Sequence, residues 1–284
     1  MPSMKAIKRR ITSVKNIQQI MKAMNLVAAS KVQRNRNKLM AVRPMFDAAA
    51  EFMEQGVFHQ DVMESVFYEP RDVKRTAYIV ISGERGLCGS YNANILRAAF
   101  KDMDDNKKSE RVIAVGGKCK EYFVRRDKNV VAEHKGILEN VSYGDASELA
   151  QHVVSLYLSD DPDERVDEVY IAYTKFETLL SHTPTVMKLL PFEVPKIAEE
   201  PNVEYEPDVL TYLRKAVPEY MTMFIYGAMT EAAVCEQASR MTSMDAAARN
   251  AGEIVDDLTL AFNRQRQGAI TQEISEIVGG ANAI

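Results

Sequence analysis

Several residue groups in this chain could carry chemistry, and the first is a glycine-rich stretch, GERGLCGSYNAN, from Gly83 to Asn94. It follows an apolar run, TAYIVISG, and opens a helical one, which is where loops that cradle a phosphate sit. Its spacing is neither GxGxxG nor GxxxxGK followed by Ser or Thr, and no ribose-binding acid stands out downstream. The stretch therefore reads as a tight backbone turn presenting Arg85 and Cys88 outward, not as a nucleotide site. His59, His134, His152 and His182 are scattered, and none lies at ligand spacing from a cysteine or a second histidine, so no metal site is expected. Cys88, Cys119 and Cys235 are far apart and odd in number, which argues for reduced thiols and against a disulfide framework. There is no GxSxG nucleophile. The acidic run Asp160, Asp161, Asp163 and Glu164 lacks the spacing of a calcium loop and reads as a solvated turn. No catalytic residue and no cofactor are expected.

Charge is more informative. The net charge of −4 gives no global attraction to nucleic acid, but the average hides an asymmetry. Lys5, Lys8, Arg9, Arg10, Lys15, Lys22, Lys31, Arg34, Arg36, Lys38 and Arg43 are basic, and the first acid is Asp47. A wholly basic helix of this length implies an acidic partner surface or nucleic acid. A DNA-reading basic region keeps its charges clear of the zipper positions. Here charges and apolar stripe share one helix, so an acidic protein partner is the favoured reading.

The elements that must position these residues fall into three parts, with boundaries at 1–60, 75–195 and 205–284. Residues 3 to 43 contain neither Pro nor Gly, and Met4, Ile7, Ile11, Val14, Ile17, Met21, Met24, Ala28 and Val32 recur at about 3.5 residues, the coiled-coil period. Pro44 can kink or restart this helix, which AAAEFMEQ then carries to Gly56. The C-terminal part mirrors it: Met221, Phe224, Ala228, Ala232, Cys235, Ala238, Met241, Met244, Ala248, Ala251, Ile254 and Leu258 again step by threes and fours. A helix from about 208 to 283 would be on the order of 110 Å long, against a radius of gyration near 19 Å for a compact domain of this size. Such a helix must project, and the two stripes are best satisfied by each other, antiparallel because a domain lies between them. In that domain TAYIVISG, RVIAVGGKC, VDEVYIAYTKF and TPTVMKLLPF read as strands. NANILRAAFKDMD (with Asn92 or Asn94 as cap), KEYFVRRD and SYGDASELAQHVVSLYLSD read as helices. The fold class expected is α+β, a long antiparallel coiled coil joined to a Rossmann-like α/β domain. The N-terminus lacks a signal-peptide core and no run approaches 18 apolar residues, so no membrane span is expected. At the other end Ile270, Ile274, Ile277, Val278 and Ile284 leave an apolar tip just beyond Arg264, Arg266 and Gln267.

Taken in order along the whole chain, IKRRITSVKNIQQIMKAMNLVAASK, GERGLCGSYN, EYEPD and QASRMTSMDAAARNAGEIVDDLTLAFNRQRQGAITQEISEIVGG resemble the γ subunit of F-type ATP synthase, in a bacterial form without the regulatory cysteine insert of chloroplasts. The resemblance implies a non-catalytic rotor shaft, one copy per complex, that couples turning of an ion-driven c-ring to the catalytic β subunits. It implies the α and β subunits, the ε subunit and the c-ring as partners, and a peripheral place on the cytoplasmic face of the cell membrane. By motif position it assigns Lys8, Arg9, Arg10, Met24, Arg85 and Cys88 to the levers of β. Arg240, Arg266, Gln267, Thr271 and Glu273 are assigned to helix coupling and to a loop of the α3β3 collar, and Tyr205 and Glu206 to the c-ring. The apolar tip then becomes a bearing surface. Gly268 departs from the Ala that many members carry, which costs about 1 kcal/mol in a helix interior.

Overall fold

In a computed structural model the described residues are 3–55, 65–68, 71–192 and 205–281. They divide into two compact units: one takes the chain up to Ala29 together with the residues from Arg240 onward, and the other is Ser30–Ser239. Two helices contribute to both units, α1 (Met4–Gln55) and α5 (Val209–Ala281). Pro44 lies inside α1 without ending it. It shares an exposed face with Met40, where water can take over the carbonyl that the missing N–H leaves.

Within Ser30–Ser239 a five-stranded sheet has the order β3-β2-β1-β4-β5. The strands are β1 (Arg75–Ile81), β2 (Ser109–Val115), β3 (Val130–His134), β4 (Glu168–Phe176) and β5 (His182–Leu190). Strands β1 to β4 are mutually parallel, joined through α2 (Tyr91–Asn106), α3 (Gly117–Val124) and α4 (Tyr143–Tyr157). Only residues 177–181 separate β4 from β5, too few for a crossover, so this pair is antiparallel. The Rossmann-like character holds for four strands, and the fifth closes the edge as a hairpin. Strand β3 has no counterpart in the sequence reading. VVAEH is short and half polar, and its pairing with β2 is what extends it.

The period-two alternation of β1 sorts the core into two layers. Ala77, Ile79 and Ile81 pack with Ile113 and Val115 against Leu149 and Val153 of α4, Phe224 and Ala228 of α5, and Phe46 of α1. Tyr78 and Val80, with Val112 and Ala114, face Ile95 and Ala99 of α2 and Phe123 of α3. Within this unit the stretches of α1 and α5 are thus built into one face of the sheet domain.

In the other unit the two helices run antiparallel, as two amide bonds establish. Gln18 Nε2 donates to Ala248 O at 3.1 Å and Asn25 Nδ2 to Met241 O at 2.8 Å, so rising numbers on α1 meet falling numbers on α5. Ile7 and Ala28 of α1 are buried there, as are Met244, Ala248, Ala251 and Val255 of α5. Ile17 and Ile254, both assigned to the stripes from sequence, are exposed. Gln18 and Val255 take those seam positions instead. A count of apolar residues alone passes over an amide that is satisfied across the seam. Ile270, Ile274, Ile277 and Val278 are exposed, as an apolar tip requires; Ile284 lies outside the described residues.

Candidate functional site

The basic residues of α1 stand away from the seam because the seam repeats every 3.5 residues and they occupy the remaining positions. Lys5, Lys8, Arg9, Arg10, Lys15 and Lys22 are all exposed, and none forms an ion pair among the described residues. Farther along, the cations are used internally. Arg34 and Lys38 donate to the carbonyls of Glu139 and Val141, and Arg43 Nη1 holds the buried carboxylate of Glu231 at 2.9 Å. The helix therefore offers free cations at its N-terminal end and spends the later ones on the sheet domain. Met24 is half-buried beside Asn25 in the seam.

The glycine turn is held from several sides. Gly83 N–H donates to Asn92 Oδ1 at 2.7 Å, and Asn92 Nδ2 donates back to Arg85 O at 3.0 Å. Asn92 is thus a turn staple and not a helix cap; the N-cap of α2 is Ser90, whose side chain makes no capping bond, and Asn94 lies within the helix. Cys88 is 1 % exposed, packed with Tyr91 and Cys235, which corrects the expectation that it points outward. Tyr91 Oη donates to Ala232 O on α5 at 3.1 Å and ties the turn to that helix. What the turn does present is Arg85, whose side chain is 82 % exposed and only loosely paired with Glu139 at 3.5 Å, and Leu87, at a φ of 62°.

Glu84 decides whether this loop can serve a phosphate. Its Oε2 accepts from Gly117 N–H, at the N-terminus of α3, at 3.0 Å, and its Oε1 accepts from Gly136 N–H at 2.5 Å. The amides that would hold an anion are already taken by a carboxylate of the chain itself, and a phosphate would meet a like charge. Burial above all holds His152 below its ordinary value, with the neighbouring His134 adding to the effect. No three His, Cys, Asp or Glu side chains among the described residues could hold a metal ion. Cys88, Cys119 and Cys235 are buried thiols, and burial pushes those of Cys119 and Cys235 upward.

The other sequence-assigned residues fall on both units. Arg266, Gln267, Thr271 and Glu273 are exposed on α5, with Thr271 Oγ1 turned back to Gln267 O at 2.9 Å, and Arg240 is half-buried. Tyr205 is half-buried with its ring 5.2 Å from that of Tyr212, while Glu206 is exposed. Asp208 has a role that the sequence reading missed. Its carboxylate accepts from Thr211 N–H at 2.8 Å and Thr211 Oγ1 at 2.7 Å, starting α5, and those bonds hold it below its ordinary value. The Pro-Asp pair ahead of an apolar run was the signal.

Against known proteins, residues 3–284 match the family model described as ATP synthase. The ATP synthase gamma chain of Desulfitobacterium hafniense is 40 % identical over 285 residues, covering all of both chains. The sodium ion specific ATP synthase gamma chain of Acetobacterium woodii is 37 % identical over 299 residues, covering 98 % of this chain and 97 % of its own. Among solved structures, a chain of the Euglena gracilis mitochondrial ATP synthase assembly of OSCP, F1 and c-ring aligns over 99 % of this chain and 94 % of its own. That alignment has a TM-score of 0.72 at 18 % identity, a likeness of fold.

Proposed function

The chain belongs to the ATP synthase gamma-chain family, and from that premise we propose that it works as the central rotor shaft, transmitting c-ring rotation to the catalytic β subunits. It is itself non-catalytic. The observation that carries the contact assignment is the row of unpaired cations, Lys5 to Lys22, on a helix with no acid before Asp47. Surface ion pairs are worth about 0–1 kcal/mol each. A shaft that breaks and remakes its contacts every turn requires many such weak pairs and no strong one, so Lys8, Arg9 and Arg10 meet acidic levers of β, with Arg85 as a further exposed cation. Cys88 and Met24 support those surfaces from beneath. Arg240, Arg266, Gln267, Thr271 and Glu273 engage the α3β3 collar, whose apolar inner wall takes Ile270, Ile274, Ile277 and Val278 as a low-friction bearing. Tyr205 and Glu206 meet the c-ring, and the sheet domain receives ε. Among the described residues no helix is long and apolar enough to cross a membrane; the place proposed is peripheral, at the cytoplasmic face.

Charge reversal tests this. In a complex reconstituted with α, β and ε, Lys8, Arg9 and Arg10 all changed to Glu should leave the chain folded and the complex assembled while weakening ATP-driven rotation under load. Unchanged rotation under load in the triple variant would remove the contact assignment.

A further inference from the structure

Glycine is a poor helix former, yet α5 carries it at positions 227, 252 and 268, well before the pair Gly279 and Gly280 at its C-terminal end. Around Gly268 there is open space, since an added Cβ would meet nothing within 4 Å. The spaces at Gly227 and Gly252 are occupied. A Cβ on Gly227 would lie 2.1 Å from Cδ2 of Phe46, and a Cβ on Gly252 would lie 3.0 Å from Nε2 of Gln18. Each glycine is a notch that admits one α1 side chain, Phe46 in the unit Ser30–Ser239 and Gln18 in the other unit.

Neither notch repeats. One helical turn away, Gly227 would be replaced by Met223 or Glu231, and Gly252 by Ala248 or Asp256. Amide bonds follow the same seam, from Gln18 to Ala248 O, from Asn25 to Met241 O, and from Asn35 to Ala233 O at 3.4 Å. A polar side chain within an apolar seam lowers stability but specifies one register. Without these features the buried α5 residues Met244, Ala248, Ala251 and Val255 form a smooth strip of mostly small side chains. Such a strip would tolerate a slip of one turn, about 5.4 Å.

Resting on the shaft reading above, we propose that the Gln18–Gly252 and Phe46–Gly227 pairs are positioning pairs. They key the register of α1 on α5, so that load carried by the two helices is not lost to slippage. They touch no partner and act only through the alignment of the residues that do.

The test uses the full-length chain with spin labels at Lys5→Cys and Asp245→Cys, two exposed positions well separated along the pair. With both glycine notches intact the label distance should be single. Replacing Gln18→Ala together with Gly252→Ala smooths the outer seam, and a second population displaced by about 5 Å, one turn, should appear while helix content is retained. A single, unshifted distance overturns the proposal. Should the double variant fold poorly, Gln18→Leu alone removes the amide and carries the same measurement with the same two outcomes. In the complete complex, with its ion-translocating membrane sector in sealed vesicles, ions pumped per ATP should fall while ATP hydrolysis persists, which a merely structural defect would not produce. An unchanged ratio despite a displaced label removes the positioning role. If the unaltered chain fails to support pumping, the shaft reading itself fails, and the label distance still judges the register key.

Discussion

Glu231 is a carboxylate with a fully buried side chain, held by Arg43 Nη1 at 2.9 Å and by Phe176 N–H at a longer 3.4 Å. Changing Arg43→Met removes the cation bonded to it and leaves an apolar stem. Breaking a fully buried ion pair costs about 3–5 kcal/mol, because the remaining charge is stranded. Arg43 is 39 % exposed, however, so water already screens the pair. The expected loss is therefore smaller, about 2 kcal/mol, or roughly 4 °C in a chain of this size. The loss should depend on pH in a set direction. Burial raises Glu231 above its ordinary 4.5, nearby Asp47 adds to the rise, and Arg43 and Lys175 oppose it. A carboxyl with a raised folded value keeps its proton in the folded chain after the unfolded chain has released it. Its contribution to stability therefore falls as pH rises from 4.5 through the folded value. Without Arg43 that folded value climbs further, so the deficit of the variant should be larger at pH 8 and shrink toward pH 5. Urea melts of the full chain at several pH values measure this, with Arg43→Met/Glu231→Gln as the partner variant that removes the stranded charge. A deficit independent of pH, or a double variant no more stable than Arg43→Met, would refute the reasoning.

Two further substitutions bear on the helix pair and the turn. Gly268→Ala should raise stability by up to about 1 kcal/mol, since it gains helix propensity in open space, whereas Gly227→Ala drives a methyl into Phe46 and should cost about 1–3 kcal/mol; paired thermal melts decide it, and equal effects would contradict both. Glu84→Ala frees the amides of Gly117 and Gly136 and should cost about 1 kcal/mol, with faster hydrogen exchange at those two positions before any others.

Much of this architecture was legible in the residues because it rests on periodicity. The 3.5-residue stripes, the four apolar strand runs and the basic face of α1 are each local patterns that tertiary contacts reinforce. The exceptions share a cause. Gln18 is polar at a seam position, and only the carbonyl of Ala248 across from it makes that acceptable. Strand β3 is extended by pairing with β2, not by its own composition. Cys88 sits in a turn, which suggests exposure, but Tyr91 just beyond it and Cys235 of the distant α5 close over it. Asn92 had the right type for a cap, yet its amide serves Gly83 and Arg85 instead. In each case a specific partner decides, across the chain for Gln18, β3 and Cys88 and within the turn for Asn92, and no residue pattern encodes it.

The carboxylate of Glu84 on the amides of Gly117 and Gly136 has a consequence for how the sheet domain behaves in a cell. Backbone amides at a helix N-terminus are a ready site for a soluble phosphate. Here the anion is covalently part of the chain and permanently at hand. The sheet domain thus carries its own counter-charge for those amides and borrows none from solution.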